Sequence, residues 1–194
     1  MKSAEKILIT GANGFIGSYT TLLFEALGYR VVPCSRREAR EHDLSLLPIR
    51  TKTIQLDVTD TNAFRELCKK ENVTHIVHLA QSHREEDPEV LNLSFQAMHN
   101  ILETAKEMGI QRVVFSSSGA VYGQLRKKDH GLIKEGDLVP IFPTFIYRSS
   151  KIISEWLGEF YVLHHGVSFV ALRISSVYGP GQAKGIGGAI KSGI

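Results

Sequence analysis

The chain has 194 residues, of which 43% are hydrophobic and 22% are charged, and its formal net charge is +3. This composition is typical of one globular domain, and it excludes a disordered chain, a collagen and a disulfide-rich scaffold. The basic residues are scattered, which disfavours a nucleic-acid partner. No apolar run reaches the roughly 18 residues of a membrane span, and the first strand leaves no room for a signal peptide. We therefore expect a cytoplasmic protein without a membrane partner.

Short runs rich in Val and Ile alternate with longer segments of helical periodicity. The predicted strands are Lys6–Thr10, Arg30–Cys34, Thr53–Asp57, His75–Leu79, Arg112–Ser116 and Ser168–Arg173. The predicted helices are Phe15–Leu27, Asn62–Glu71, Pro88–Met108 and Tyr147–His165. Strands that alternate with helices pair in parallel through right-handed crossovers. The pattern predicts an α/β fold: a doubly wound parallel sheet of the Rossmann type, with six strands and helices on both faces.

Three smaller features complete the structural prediction. In the third helix, Asp87 is the expected N-cap and Pro88 the first helical residue, while Gly109 follows the last one. In the fourth helix, Trp156 is most simply interpreted as a core residue. The polar segment Gln124–Phe145 is expected to form a surface loop over the carboxyl edge of the sheet.

A glycine-rich turn joins the first strand to the first helix. Gly11 allows the sharp turn, Gly14 allows backbone amides to approach a pyrophosphate, and Gly17 allows the helix to pack closely on the strand. The helix N-terminus adds partial positive charge for the phosphates. We therefore predict a dinucleotide site. The predicted contacts in this turn are Gly11, Asn13, Gly14, Phe15, Ile16 and Gly17.

The end of the second strand indicates which dinucleotide is bound. A site that prefers NAD usually has an acidic residue here, whereas this chain has Ser35 followed by Arg36 and Arg37. A guanidinium group matches a 2′-phosphate in charge and geometry. The sequence thus favours NADP(H), with NAD(H) as the alternative. A solvated run of charges is the competing explanation for the two arginines.

A candidate catalytic pair opens the fourth helix. Tyr147 and Lys151 are four residues apart, so both side chains lie on one helix face. A phenol becomes a useful acid or base near neutral pH when a neighbouring cation favours its phenolate. An ordinary surface pair is the alternative. The serines that end the fifth strand support the catalytic interpretation, because a hydroxyl there can hydrogen-bond a reacting oxygen. For Ser117 the simpler reading is turn or cap chemistry.

Six segments in the same order resemble those of the extended short-chain dehydrogenase/reductases, in the nucleotide-sugar epimerase/dehydratase branch. They are Thr10–Gly17, Asp57–Asp60, His78–Ala80, Ser116–Gly123, Tyr147–Lys151 and Leu172–Pro180. The resemblance implies that Ser118 and Tyr147 flank the reacting sugar carbon and that Lys151 also holds the nicotinamide ribose. The further cofactor contacts are Asp57, Val58, Leu79, Ala80, Gln81 and Ser116. Related enzymes often dimerise through a four-helix contact, which suggests a homodimer. Here Ala97 and Met98 replace a Gly-Thr pair that is common in the long helix, so the contact either repacks or differs.

Two departures from the family pattern narrow the prediction. Sugar 4,6-dehydratases of this branch have an Asp-Glu pair after the catalytic hydroxyl, where this chain has Gly119 and Ala120. Neither residue can transfer a proton, so dehydration is disfavoured. Family members also continue well beyond Pro180. We therefore divide the chain into an NAD(P)-binding domain, residues 1–180, and the start of a shortened substrate region, residues 181–194. A fragment of a larger enzyme is favoured over a natural short form.

Two functions of different classes remain open from the sequence. The favoured one is an NADP-dependent epimerase or reductase that acts on a nucleotide sugar by hydride transfer, with Ser118, Tyr147 and Lys151 as catalytic residues. The alternative is a cofactor-binding domain without turnover that serves as a sensor or a partner of another chain. The eight histidines form no chelating pattern and the two cysteines lie in unrelated segments, so we predict no metal site.

Overall fold

The computed structural model describes residues 5–37, 50–81, 87–123, 132–137 and 145–180. Most of the predicted Gln124–Phe145 loop lies outside the described residues, as does the predicted tail 181–194. In the part of the chain that is described, no helix is both long and apolar enough to cross a membrane.

One sheet of six strands forms the centre of the fold. The strands are β1 (Lys6–Thr10), β2 (Arg30–Ser35), β3 (Ile54–Gln55), β4 (His75–His78), β5 (Arg112–Ser118) and β6 (Phe169–Ile174). All neighbouring pairs are parallel, in the order β3-β2-β1-β4-β5-β6. The predicted doubly wound sheet is therefore confirmed. Winding reverses between β1 and β4, and this opens a crevice at the carboxyl ends of those strands, where ligands of such sheets lie.

Helices cover both faces of this sheet. They are α1 (Phe15–Ala26), α2 (Thr61–Glu71), α3 (Glu89–Met108) and α4 (Ile146–His165). Adjacent residues of β1 point to opposite faces, so Leu8 belongs to one buried cluster and Ile9 to another. The larger cluster takes in side chains of α2, α3 and α4, whereas Phe24 of α1 packs against the smaller one. The two faces are thus covered by different sets of helices.

The ends of α3 are fixed by local hydrogen bonds and backbone conformation. The Asp87 carboxylate accepts a hydrogen bond of 3.0 Å from the amide of Glu89, but the N-cap position is Pro88, so the predicted N-cap lies one residue too early. The helix starts at Glu89 rather than at Pro88, the predicted first residue. At the other end, Gly109 adopts the left-handed conformation with φ 65°, which confirms the predicted stop.

The prediction that Trp156 belongs to the core is wrong. Its side chain is 63% exposed. The buried residues of α4 include Ser154, Leu157, Gly158 and Tyr161, and their spacing defines an inward face that excludes position 156. Residue type alone gave the wrong answer because the helix carries large apolar side chains on both of its faces.

Candidate functional site

The glycine-rich turn between β1 and α1 leaves no room for a side chain at Gly11 or Gly17. Gly11 has φ +70°, and a Cβ atom built on it would lie 2.7 Å from the backbone nitrogen of Ala80. A Cβ on Gly17 would lie 2.1 Å from the carbonyl oxygen of Gly11. No side chain caps the first turn of α1, and that turn contains no acidic residue. The turn therefore has the shape and the electrostatic character that suit a bound pyrophosphate.

Asn13 connects this turn to the ends of β2 and β3. Its Nδ2 donates to the carbonyl of Arg37 over 2.8 Å, and its Oδ1 accepts from the Thr53 hydroxyl over 2.9 Å. Arg36 lies 4.0 Å from the carboxylate of Asp57, and both side chains are about half exposed. The four predicted cofactor residues Asn13, Arg36, Arg37 and Asp57 are thus brought to one corner of the sheet.

A buried pair joins β1 to β4 directly beneath the turn. The hydroxyl of Thr10 accepts from the amides of Leu79 and Ala80, at 3.2 Å each, and it contacts Nδ1 of His78 at 2.7 Å. Burial, together with the smaller effect of the positive charge of Lys151, lowers the pKa of His78 to about 3. His78 is therefore neutral, and its Nδ1 accepts the hydroxyl proton of Thr10. This link holds Leu79 and Ala80 against the glycine turn.

Tyr147 and Lys151 occupy one face of α4, at the carboxyl ends of β4 and β5. The Lys151 ammonium lies 5.5 Å from the ring centroid of Tyr147 and 4.7 Å from that of Phe115. It donates a 2.6 Å hydrogen bond to the carbonyl of Ser116. Lys151 is only 3% exposed, and this burial lowers its pKa to about 8, whereas the carboxylate of Glu155 acts in the opposite direction. A cation thus lies close to the phenol.

The three serines at the end of β5 have three different partners. The Ser116 hydroxyl donates to the carbonyl of His78 over 3.1 Å. Ser117 does not have the expected turn or cap role, because its side chain is buried and its hydroxyl donates to Glu155. Ser118 has the cap role instead: its Oγ accepts the amide of Ala120 over 3.1 Å and begins the 3₁₀ turn Gly119–Tyr122. This bond uses a lone pair of Ser118, so its proton stays available for a substrate oxygen.

A sequence profile described as the NAD dependent epimerase/dehydratase family matches residues 7–192. The chain belongs to this family.

The proteins that this chain is similar to include both epimerases and dehydrogenases. A UDP-glucose 4-epimerase of Lacticaseibacillus casei is 31% identical over an alignment of 178 residues, which covers 89% of this chain and 52% of that protein. A solved L-threonine dehydrogenase of Clostridium difficile has a TM-score of 0.81 and 32% identity, over 93% of this chain and 56% of that one. A Brucella ovis UDP-glucose 4-epimerase in complex with NAD has a TM-score of 0.75 and 27% identity, over 90% and 51%. The chain spans about half the length of the relatives that it matches.

A polar network beside the candidate site was not indicated by the sequence. The carboxylate of Glu155 accepts from Ser117 and forms an ion pair of 2.9 Å with Arg173 of β6. The Arg173 guanidinium also lies 4.8 Å from the ring centroid of Tyr122. One signal was available in advance: residues 147, 151 and 155 recur every four positions and so share one face of a helix. The partners of Glu155, which are Ser117 on β5 and Arg173 on β6, were not indicated by any local pattern in the sequence.

Metal binding receives no support from the described residues. Among them, no group of three or more His, Cys, Asp or Glu side chains is placed to hold an ion. The two cysteines are buried free thiols, and burial raises the pKa of both Cys34 and Cys68 to about 12.

Proposed function

We propose that this chain carries the cofactor-binding and catalytic part of an NAD(P)-dependent enzyme that epimerises or reduces a nucleotide sugar. The observation that carries the proposal is the Lys151 ammonium, buried and 5.5 Å from the Tyr147 ring, at the same sheet edge as the glycine turn. The family membership and the UDP-glucose 4-epimerase relatives support the same conclusion.

Each residue of the proposed site has a distinct task. The hydroxyl of Tyr147 exchanges a proton with the substrate oxygen, and the Lys151 ammonium is the positive charge beside the phenol, 5.5 Å from its ring centroid. The hydroxyl of Ser118 donates a hydrogen bond to the same oxygen and stabilises its developing charge. The nicotinamide cofactor supplies the hydride acceptor or donor. The glycine turn suits the phosphates of such a cofactor, because no side chain caps the first turn of α1 and that turn contains no acidic residue.

A panel of substrates tests this function. The protein encoded by the complete gene is incubated with UDP-, GDP- and dTDP-sugars and, in a separate arm, with L-threonine. We expect conversion of at least one nucleotide sugar, and a fall in kcat of at least about 100-fold in Tyr147→Phe. Tyr161→Phe, which changes another tyrosine of the same helix, is the matched control and keeps the wild-type rate.

Each result of this panel selects one function. Oxidation of L-threonine alone would favour an amino-acid dehydrogenase, the second candidate, which the 32% identity to the Clostridium difficile enzyme supports. Absence of turnover together with intact cofactor binding would favour the binding domain that serves as a sensor or partner. Dehydration of a sugar stays disfavoured, because Gly119 and Ala120 stand where an acid and a base are needed.

We also propose that the cofactor is NADP(H), because Arg36 and Arg37 follow Ser35 at the end of β2. Asp57, 4.0 Å from Arg36, weakens this preference by offsetting part of its charge. Titration by fluorescence is expected to show tighter binding of NADPH than of NADH. Replacing Arg37 by Met is expected to weaken NADPH binding by about tenfold and to change NADH binding by less than about twofold. Tighter binding of NADH by the wild type would contradict the proposal.

The remaining expectations concern the whole protein. We propose that residues 1–180 form the cofactor domain and that residues 181–194 begin the substrate region. We propose a homodimer formed through the outer faces of α3 and α4, as the family resemblance suggests. The cytoplasmic location stays a prediction from the sequence.

A further inference from the structure

Arg148 has no role in any of the chemistry described above, and yet it is buried beside it. It follows Tyr147 in α4 and is only 4% exposed. An arginine is rarely buried unless acceptors and packing partners offset the loss of water. Here both Nε and Nη2 point to the carbonyl of Val121, at 3.4 Å and 3.2 Å. Val121 lies in the 3₁₀ turn that begins directly after Ser118.

Gly123 makes the space that this guanidinium occupies. It ends the 3₁₀ turn with φ 61° and ψ −132°, a conformation that side chains disfavour. A Cβ atom on Gly123 would lie 2.7 Å from Nη2 and 2.9 Å from Cζ of Arg148. Gly123 and Arg148 are therefore in direct contact, and the guanidinium fits because position 123 has no side chain.

This contact joins the two parts of the proposed catalytic site. The 3₁₀ turn starts at Ser118, whose hydroxyl accepts the amide of Ala120, and it ends at Gly123, whose amide donates to the carbonyl of Ala120 over 3.0 Å. The arginine that holds the turn belongs to the helix of Tyr147 and Lys151. Any shift of the turn relative to that helix would break the bonds to Val121.

We propose that Arg148 is a positioning residue that anchors the turn after Ser118 to the helix of Tyr147 and Lys151. Its planar guanidinium presents two donor nitrogens, Nε and Nη2, to one carbonyl, which an ammonium with its single nitrogen cannot do. The consequence for catalysis rests on the proposed function, whereas the anchoring itself does not. The two are therefore tested by separate measurements.

Hydrogen exchange tests the anchoring without reference to any substrate. In Arg148→Met, which keeps the apolar stem and removes the donors, we expect the amides of residues 119–123 to exchange about tenfold faster, because the turn opens more often. Amides of β1 are expected to keep their rates. Arg30→Met, at an exposed position at the start of β2, is the matched control and changes neither set. Unchanged exchange at residues 119–123 in a folded Arg148→Met would overturn the proposal.

Kinetics test the positioning. With the substrate identified by the panel, we expect kcat of Arg148→Met to fall roughly 10- to 100-fold, since a displacement of about 1 Å is enough for such a loss. The Kd for the cofactor is expected to change by less than about twofold. Arg148→Lys, which keeps the charge but has a single donor nitrogen, is expected to recover part of the rate. A normal kcat alongside faster exchange would contradict the positioning role.

Arg148→Lys and a double-mutant cycle with Gly123→Ala keep the result clear if Arg148→Met fails to fold. Arg148→Lys is then measured by exchange, and wild-type protection of residues 119–123 in that variant would overturn the proposal. Gly123→Ala is combined with Arg148→Met, or with Arg148→Lys, in a double-mutant cycle. We expect the combined loss of stability to be smaller than the sum of the single losses, because the added methyl group no longer meets the guanidinium. If the wild-type protein converts no substrate, the proposed function fails and the exchange data alone decide the anchoring.

Discussion

At the scale of single residues, His78 shows how burial and hydrogen bonding determine the protonation state of a side chain. The hydroxyl of Thr10 already accepts two backbone amides, so its one proton goes to Nδ1 of His78. The imidazole must then carry its own proton on Nε2 and remain uncharged. A second positive charge beside the buried Lys151 ammonium would be unfavourable, which agrees with the lowered pKa of His78.

This burial predicts an acid-sensitive fold. The pKa of His78 is lowered to about 3 in the folded protein, whereas in the unfolded chain it is near 6.5. Between these values the unfolded chain binds more protons, so stability is lost as pH falls from about 6.5 towards 3. In His78→Asn, whose Oδ1 can accept the same bond without titrating, we expect the free energy of unfolding to fall less between pH 7 and pH 4.5.

Urea unfolding at the two pH values measures this difference. The exposed His164 in the last turn of α4 provides the control, and His164→Asn should follow the wild-type pH dependence. Parallel pH dependence of the wild type and His78→Asn would show that His78 does not cause the acid sensitivity.

At the scale of elements, the strand-turn-helix unit of β1 and α1 depends on close backbone contact. Gly17 is buried in the first turns of α1, and the Cβ that an alanine would add lies 2.1 Å from the Gly11 carbonyl oxygen. Backbone atoms cannot move aside as a flexible side chain can. The helix must therefore shift away from the strand, which also moves the turn that we assign to the pyrophosphate.

Replacing Gly17 by alanine should therefore weaken both folding and binding. We expect the free energy of unfolding to fall by roughly 1–3 kcal/mol, although alanine is the better helix former, and the affinity for the cofactor to fall with it. Gly136→Ala is the control, since no atom lies within 4 Å of its added Cβ, and it should stay within about 0.5 kcal/mol of the wild type. Unfolding curves and fluorescence titration measure the two effects. Equal stability of Gly17→Ala and the wild type would mean that the helix tolerates the shift.

Local signals carried most of what could be predicted about these elements. The alternation of strands and helices, the glycine spacing and the four-residue spacing of Tyr147 and Lys151 are all written within short segments. The bond between Ser117 and Glu155, and that between Glu155 and Arg173, join residues on three different elements. Their positions depend on how α4 packs against β5 and β6, so no local pattern could have indicated them. β3 is shorter than predicted because only Ile54 and Gln55 pair with β2 at the sheet edge.

At the scale of the whole molecule, α3 and α4 pack side by side and leave large apolar side chains exposed. They include Phe95 on α3 and Trp156 and Phe160 on α4. Exposed aromatic side chains on adjacent helices are typical of an interface between subunits. This surface is the one through which we propose that the protein dimerises.

A charge introduced at this surface should separate the subunits. We expect Trp156→Glu to shift the protein from dimer to monomer in analytical ultracentrifugation, because a buried unpaired carboxylate is unfavourable. Leu27→Glu, at an equally exposed apolar position at the end of α1, should leave the dimer intact. A wild-type protein that sediments as a monomer at micromolar concentration would contradict the proposed assembly.

Because all six strands of the sheet are parallel, their carboxyl ends lie along one rim of the molecule and their amino ends along the other. The two rims therefore differ as places for attaching a label. The proposed chemistry lies along the rim where the strands end, so the opposite rim, which includes the exposed Gln111 just before β5, is free of it. A dye or a surface tether attached at position 111 would leave the crevice facing outward to solvent. Cofactor binding could then be followed on immobilised protein without blocking the crevice at the carboxyl ends of β1 and β4.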